Sequence, residues 1–123
     1  MASAFCAFAQ SAPFTLDQVM GFSFPTELTA APAGGKVAWV ANTRGVRNIM
    51  MAEPPRYDAH KITAYTADDG QELQQLRWTP DANAIVYVRG GTANPDSNPK
   101  GVSEDVWIAG LDHSADRKIV VLV

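Results

Sequence analysis

Short apolar runs, each closed by a turn of Gly, Pro, Asn or Asp, recur along this chain. The clearest is Leu76-Arg-Trp-Thr-Pro-Asp-Ala-Asn-Ala-Ile-Val-Tyr-Val-Arg89. Pro80 pre-sets φ at a first turn position, and the short side chain of Asp81 bonds the backbone that follows, so the chain reverses here. Ala84-Ile-Val-Tyr-Val88 then has no polar residue, and its β-branched, aromatic and small side chains are too few for a helix. The pattern predicts a hairpin whose second strand is apolar on both faces. Such a strand belongs between two packed layers, because a half-exposed one alternates.

The same construction stands earlier. Leu28, Pro32 and Trp39 match Leu76, Pro80 and Tyr87, each pair 48 apart. Asn48-Ile-Met-Met-Ala52 matches Asp105-Val-Trp-Ile-Ala109 at a spacing of 57, and Lys61-Ile62 matches Lys118-Ile119 at the same spacing. The difference falls in the Gly-, Asn- and Pro-rich stretch 90–103. The chain therefore reads as a repeat of four short strands with one loop lengthened in the second copy. A period of roughly 40–50 residues with four strands per unit is the signature of a β-propeller blade. The expected fold is all-β: two four-stranded antiparallel blades of a partial propeller, preceded by a short helical turn.

Taken in order, residues 1–13 carry Ala7-Phe8-Ala9, the small-x-small pattern of a signal-peptidase site, after a brief apolar run without a basic segment. A truncated export signal is favoured over a floppy Ala-rich terminus; Met1 is then not the natural start and Cys6 is lost on maturation. Residues 14–26 form a lead-in. Thr15 and Gln18 make a capping box, Phe14 and Val19 occupy the staple positions, and Gly21 ends the turn. Phe22, Phe24 and Pro25 are expected to be packed and irregular. Blade one, residues 27–66, has strands near 27–31, 36–42, 47–53 and 59–64. Gly34-Gly35 supply positive φ in its first hairpin, Asn42 to Val46 form a tight turn, and Pro54-Pro55 end the third strand. Blade two, residues 67–123, has strands near 73–78, 83–89, 104–110 and 117–122. Ala82 stands where Gly34 stands in the first blade. Either Ala82 carries a left-handed conformation, at about 1–2 kcal/mol, or Asn83 takes that position. The crossover 65–72 and the loop 90–103 are expected on one end of the sheets, with hairpins 31–36 and 79–84 on the other.

Composition narrows the classes. The 123 residues carry a formal charge of −3 with no clustered Lys and Arg, so a nucleic-acid surface is excluded. A hydrophobic content of 46% suits a folded core, and no run reaches the roughly 18 apolar residues of a membrane span. One cysteine allows neither an internal disulfide nor a cysteine metal cluster.

The ordered set Phe24-Pro-Thr-Glu-Leu28, Gly35-Lys-Val-Ala-Trp-Val40, Arg44-Gly-Val-Arg-Asn48, Tyr65-Thr-Ala-Asp-Asp-Gly-Gln-Glu-Leu73 and Thr79-Pro-Asp81 resembles the amino-terminal start of bacterial exported serine peptidases of the prolyl oligopeptidase family, in the dipeptidyl-peptidase and acylaminoacyl-peptidase-like branch. The resemblance runs from about Phe14 to Asp112; Ala82 departs from it, since the family has Gly there. It implies a propeller that caps a carboxy-terminal α/β-hydrolase domain and gates peptide access to its serine, in a periplasmic or secreted enzyme without a cofactor. The family's Gly-x-Ser-x-Gly elbow and its Asp and His are not in this sequence. Gly21-Phe-Ser-Phe-Pro25 is a poor mimic, and only His60 and His113 are available as bases. The implied partners are further blades, the hydrolase domain and peptide substrates. A stand-alone periplasmic binding propeller and a complete small β-sandwich are the rival readings.

Candidate chemistry is sparse. Asp68, Asp69 and Glu72 offer three carboxylates to a cation or a peptide amino terminus, but calcium wants six or more oxygens and Asp-Asp-Gly is an ordinary turn. Arg44 and Arg47 flank Gly45 and offer a carboxylate grip, against which stands a solvated turn or a pair with Glu53 or an inter-blade acid. Trp39, Trp78, Tyr87 and Trp107 recur in register and read as inter-blade core. His60 and His113 lie beside turns without a second metal ligand, and both read as surface. Asn94, Asp96, Ser97 and Asn98 are loop residues open to a peptide.

Overall fold

The computed structural model describes residues 14–90, 104–112 and 117–122. It is mostly β. Sheet A is the antiparallel meander β1 (Phe24–Ala30), β2 (Val37–Thr43), β3 (Val46–Ala52) and β4 (His60–Lys61), and sheet B is the meander β5 (Leu73–Trp78), β6 (Ala84–Gly90), β7 (Glu104–Gly110) and β8 (Arg117–Leu122). Among the described residues the two sheets share no ladder, and neither closes on itself. The expected loop residues Asn94, Asp96, Ser97 and Asn98, along with His113 and the amino-terminal 1–13, lie outside the described residues.

A five-residue helix, α1 (Leu16–Met20), precedes them with the expected reciprocal cap. Gln18 N–H donates to Thr15 Oγ1 at 3.2 Å, and Thr15 N–H donates to Gln18 Oε1 at 2.9 Å. Gly21 ends the helix in a right-handed conformation, not the left-handed one glycine permits. The lead-in differs from expectation. Phe22 and Phe24 are 79% and 67% exposed, so this stretch is not packed, and Phe24 and Pro25 are already in strand β1. Pro25 is tolerated there because β1 is the edge of its sheet, where a missing N–H costs no ladder bond.

The repeat is written into the backbone. The ladder slips between Thr26 and Thr29 in sheet A and between Gln74 and Arg77 in sheet B, both 48 apart. Glu27 and Gln75 sit in these bulges at φ 59° and 56°. Trp39 pairs with Met50 and Met50 with Lys61, just as Tyr87 pairs with Trp107 and Trp107 with Lys118. The hairpin ambiguity is resolved too: Gly34 has φ 78° and Ala82 has φ 54°, so Ala82 itself takes the strained position. Ala82→Gly is expected to raise stability by about 1 kcal/mol, the left-handed penalty less glycine's extra chain entropy; denaturant midpoints check it. In the same turn, Thr79's hydroxyl and the Asn83 N–H hold the Asp81 carboxyl below its ordinary range. Whatever order that carboxylate gives the turn is present above the ordinary aspartate range and lost as pH falls through the depressed value. The Asn83 amide resonance should report the loss.

Strand β4 is shorter than expected. Ile62 N–H still donates to Ile49 O, but Ile49 N–H is taken by Thr63 Oγ1 at 2.8 Å, so a side chain replaces the ladder. Asn48 completes this substitution. Its Nδ2 donates to Tyr65 O, and its Oδ1 accepts from Tyr65 N–H and from the Thr63 hydroxyl, each at 2.9 Å.

The sheets stack so that they approach most closely along β1 and β5. Ala38, Val40, Ile49, Met51 and Ile62 of the first repeat meet Leu73, Leu76, Ile85, Tyr87 and Ala109 of the second in one buried cluster. Trp78 and Trp107 pack at its margin, while Trp39 does not join it. Trp39 pairs with Met50, between the core residues Ala38 and Val40, and alternation along the strand turns it to the opposite face. Of the four aromatics read as inter-blade core, Trp39 therefore lies outside this cluster. On β6, expected to be covered on both faces, Ile85 and Tyr87 are fully buried on the face toward sheet A, and on the other face Val88 is 9% exposed and Val86 half-buried.

Two repeats related by a two-fold axis would bury equivalent residues against each other. Here they do the reverse. Leu76 is buried against sheet A at 1% exposure, and its equivalent Leu28 is 76% exposed on sheet A's outer face. Ile62 is buried at 8%, and its equivalent Ile119 is 49% exposed. The equivalents of Ala38, Val40, Ile49 and Met51 are Val86, Val88, Val106 and Ile108, all apolar and all on the outer side of sheet B. The front of one sheet meets the back of the next. This is head-to-tail stacking.

Candidate functional site

The crossover between the sheets collects nearly all of the charged candidates. The β2–β3 hairpin reverses through Arg44 and Gly45, both at positive φ, with Gly45 N–H donating to Asn42 Oδ1. At Gly45 (φ 85°) a Cβ would come within 2.0 Å of Asp68 Oδ2, so glycine here is what lets the crossover lie on the hairpin. The end of β6 is tied to the same segment by Gly90 N–H donating to Glu72 O at 3.0 Å. The β2–β3 turn, the crossover and the exit of β6 therefore share one end of the molecule. The hairpins 31–36 and 79–84 share the other, where Lys36 Nζ donates to Ala82 O at 3.1 Å.

Arg47 grips Glu72 with both arms of its guanidinium. Nε lies 3.0 Å from Oε2 and Nη2 lies 2.8 Å from Oε1, while Nη1 donates to Gly45 O at 2.8 Å and stands 3.6 Å from Asp68 Oδ1. The Arg47 side chain is 17% exposed. From sheet B, Arg89 pairs with Asp69, lies 4.6 Å over the Tyr65 ring and faces the Trp107 ring at 6.0 Å. Tyr65 and Tyr87 join their hydroxyls at 2.7 Å beneath it. Arg44 stands apart on the exposed hairpin, 3.6 Å from Asp17 of α1.

The five proposed contact residues are thus brought to one end, but their charges are spent inside the chain: Arg47 on Glu72 and Asp68, Asp69 on Arg89, and Arg44 on Asp17. Asp68 and Asp69 also accept from the N–H groups of Gly70 and Gln71, the ordinary self-bonding of an Asp-Asp-Gly turn. The Arg47 fork finds the acid on the connection between sheets. Its chemistry is that of a strap: a cation from each sheet holds a carboxylate of the segment that joins them. Arg47→Met, which keeps an apolar stem, is expected to cost about 1–2 kcal/mol, since the partner carboxylate is half exposed. The gap to the wild type should narrow at high salt in chemical unfolding.

Sequence reasoning did not find Arg89, although its place two residues beyond Tyr87 puts it on the same face of β6. It also missed Glu27, whose Oε2 accepts from the bulge N–H of Gln75 at 2.7 Å. Both bulge residues sit at the 48-residue spacing, which was the available signal. Asp17 as the Arg44 partner carried none.

Ser23 lines a cavity of about 330 Å³ on the outer face of sheet A with Ala41, Met50 and Lys61. His60 is exposed on β4, paired with Met51. Among the described residues, no group of three or more His, Cys, Asp or Glu is placed to hold a metal ion, and no helix is long and apolar enough to cross a membrane. Apolar openings lie along the amino-terminal edge. One of about 740 Å³ is lined by Phe14, Val19, Met20, Phe22 and Phe24, and one of about 640 Å³ by Pro25, Leu28 and Trp39. No family model, curated protein or solved structure matches the chain.

Proposed function

We propose that this chain is a non-catalytic segment of a β-propeller from an exported serine peptidase of the prolyl oligopeptidase family, two blades of the cap that gates peptide access to an α/β-hydrolase domain. The observation that carries the blade reading is the head-to-tail stacking. A heterologous interface leaves its two complementary halves bare at the ends, so it needs further repeats or a closed ring. A self-contained sandwich has no use for Leu28 and Ile119 outside. The paired bulges and the meander order within each sheet support the same reading. The peptidase assignment rests on the ordered motifs from Phe24 to Asp81.

On this reading the chain brings no nucleophile or cofactor, and its task is to shape a passage for peptides in the periplasm or outside the cell. The Arg47–Glu72 and Arg89–Asp69 straps set the angle between neighbouring blades. The test is the full reading frame together with active-site labelling of the intact protein. Roughly five further repeats, then a Gly-x-Ser-x-Gly elbow and a serine that reacts with a fluorophosphonate probe, are expected. A frame that ends after the blades, with no labelled serine, replaces the peptidase by a stand-alone binding propeller.

A further inference from the structure

The two outer faces of this chain copy the two halves of the interface between its sheets. Resting on the stacked-repeat reading above, we infer that the 123-residue chain, wherever no further repeat covers its outer faces, docks head to tail on a second copy, with the outer face of sheet A in one copy taking the outer face of sheet B in the next. The occupant follows from continuity with the interface already present. Leu28 and Trp39 hold the positions of Leu76 and Tyr87, the residues by which sheet B buries itself on sheet A. Val106 and Ile108 hold the positions of Ile49 and Met51, the residues that receive them. Side-chain size is kept as well: Leu is repeated as Leu, and Trp stands for Tyr.

The polar link between the sheets also has its counterpart. Glu27 offers its carboxylate to the Gln75 N–H in the facing bulge. Gln75 sits at the equivalent position of the second repeat and carries a side-chain oxygen, the acceptor that the Glu27 bulge of the next copy requires. The charged straps are satisfied inside each copy, so docking desolvates chiefly apolar surface. The rotation between successive sheets decides whether the assembly closes as a ring or grows as an open row.

Sedimentation equilibrium of the 123-residue chain over a range of concentrations tests this. The wild type is expected to gain mass in whole multiples of the chain. Trp39→Glu blocks one face and Val106→Glu the other, and each variant alone is expected to be monomeric. Mixed, they are expected to form a one-to-one dimer that stops there, since each supplies the face that the other lacks. A wild type that stays monomeric overturns the inference, as does a mixture that stays monomeric. Association of either variant with itself overturns it too, because it signals like faces meeting. Should either variant fail to fold by circular dichroism, Leu28→Glu and Ile108→Glu form the second pair, with the same outcomes. The peptidase reading is decided separately, by reading frame and serine labelling in the intact protein, so a monomeric chain removes the docking alone.

Discussion

Leu76→Ala lowers the stability of the dilute, monomeric chain by about 3 kcal/mol, whereas Leu28→Ala, the same change at the equivalent position, alters it by less than about 0.5 kcal/mol. Leu76 is buried between the sheets, and truncating it removes the transfer energy of its side chain and leaves a cavity at the closest approach of β5 to sheet A. Leu28 faces outward with nothing described over it, so its truncation removes little that folding had gained. Urea midpoints of the two variants measure the difference. Equal costs would mean that both leucines are covered in solution, and the two-layer stacking would be wrong. In a longer protein whose further blades cover sheet A, the gap should close as Leu28→Ala becomes costly too.

Asn48→Ala is expected to cost about 3 kcal/mol, although it deletes only a small side chain. Asn48 is 3% exposed and meets three polar groups with its amide. Without it, the N–H and C=O of Tyr65 lose their partners where water does not easily reach, and each orphaned group costs about 1–3 kcal/mol. Thr63 loses an acceptor but keeps the Ile49 N–H. Asn48→Asp separates hydrogen bonding from shape. The carboxylate keeps the two accepting contacts and turns the third into repulsion with Tyr65 O. Burial raises the pKa of such a group, so its penalty is full above that value and fades as pH falls through it, when the protonated acid donates again. Thermal unfolding across a pH series reads this out. A flat profile would place residue 48 in solvent.

Much of the fold was legible along the chain. The 48- and 57-residue spacings located all eight strands to within about three residues at either end, because apolar runs and turn residues report local backbone preference. The capping box at Thr15 and the glycine turn at Gly34 are local in the same sense, and both are present. The start of β1 was not legible. Phe24 and Pro25 look like a lead-in by themselves, and pairing with Asn42 and Ala41 makes them strand. The charged candidates were found by type, but their partners were not. Asp68, Asp69 and Glu72 invite a cation in one dimension; the fold brings Arg47 from one sheet and Arg89 from the other onto them.

The amino-acid sequence alone determined that there are two like repeats of short strands, where they turn, and that neither face of the central strands is polar. Only the tertiary structure decided which face of each sheet is covered. Alternation along a strand sorts residues into two sides and carries no mark saying which side meets the neighbour when both are apolar. Stacking breaks that symmetry: Leu76 goes inside, and its twin Leu28 is left facing out.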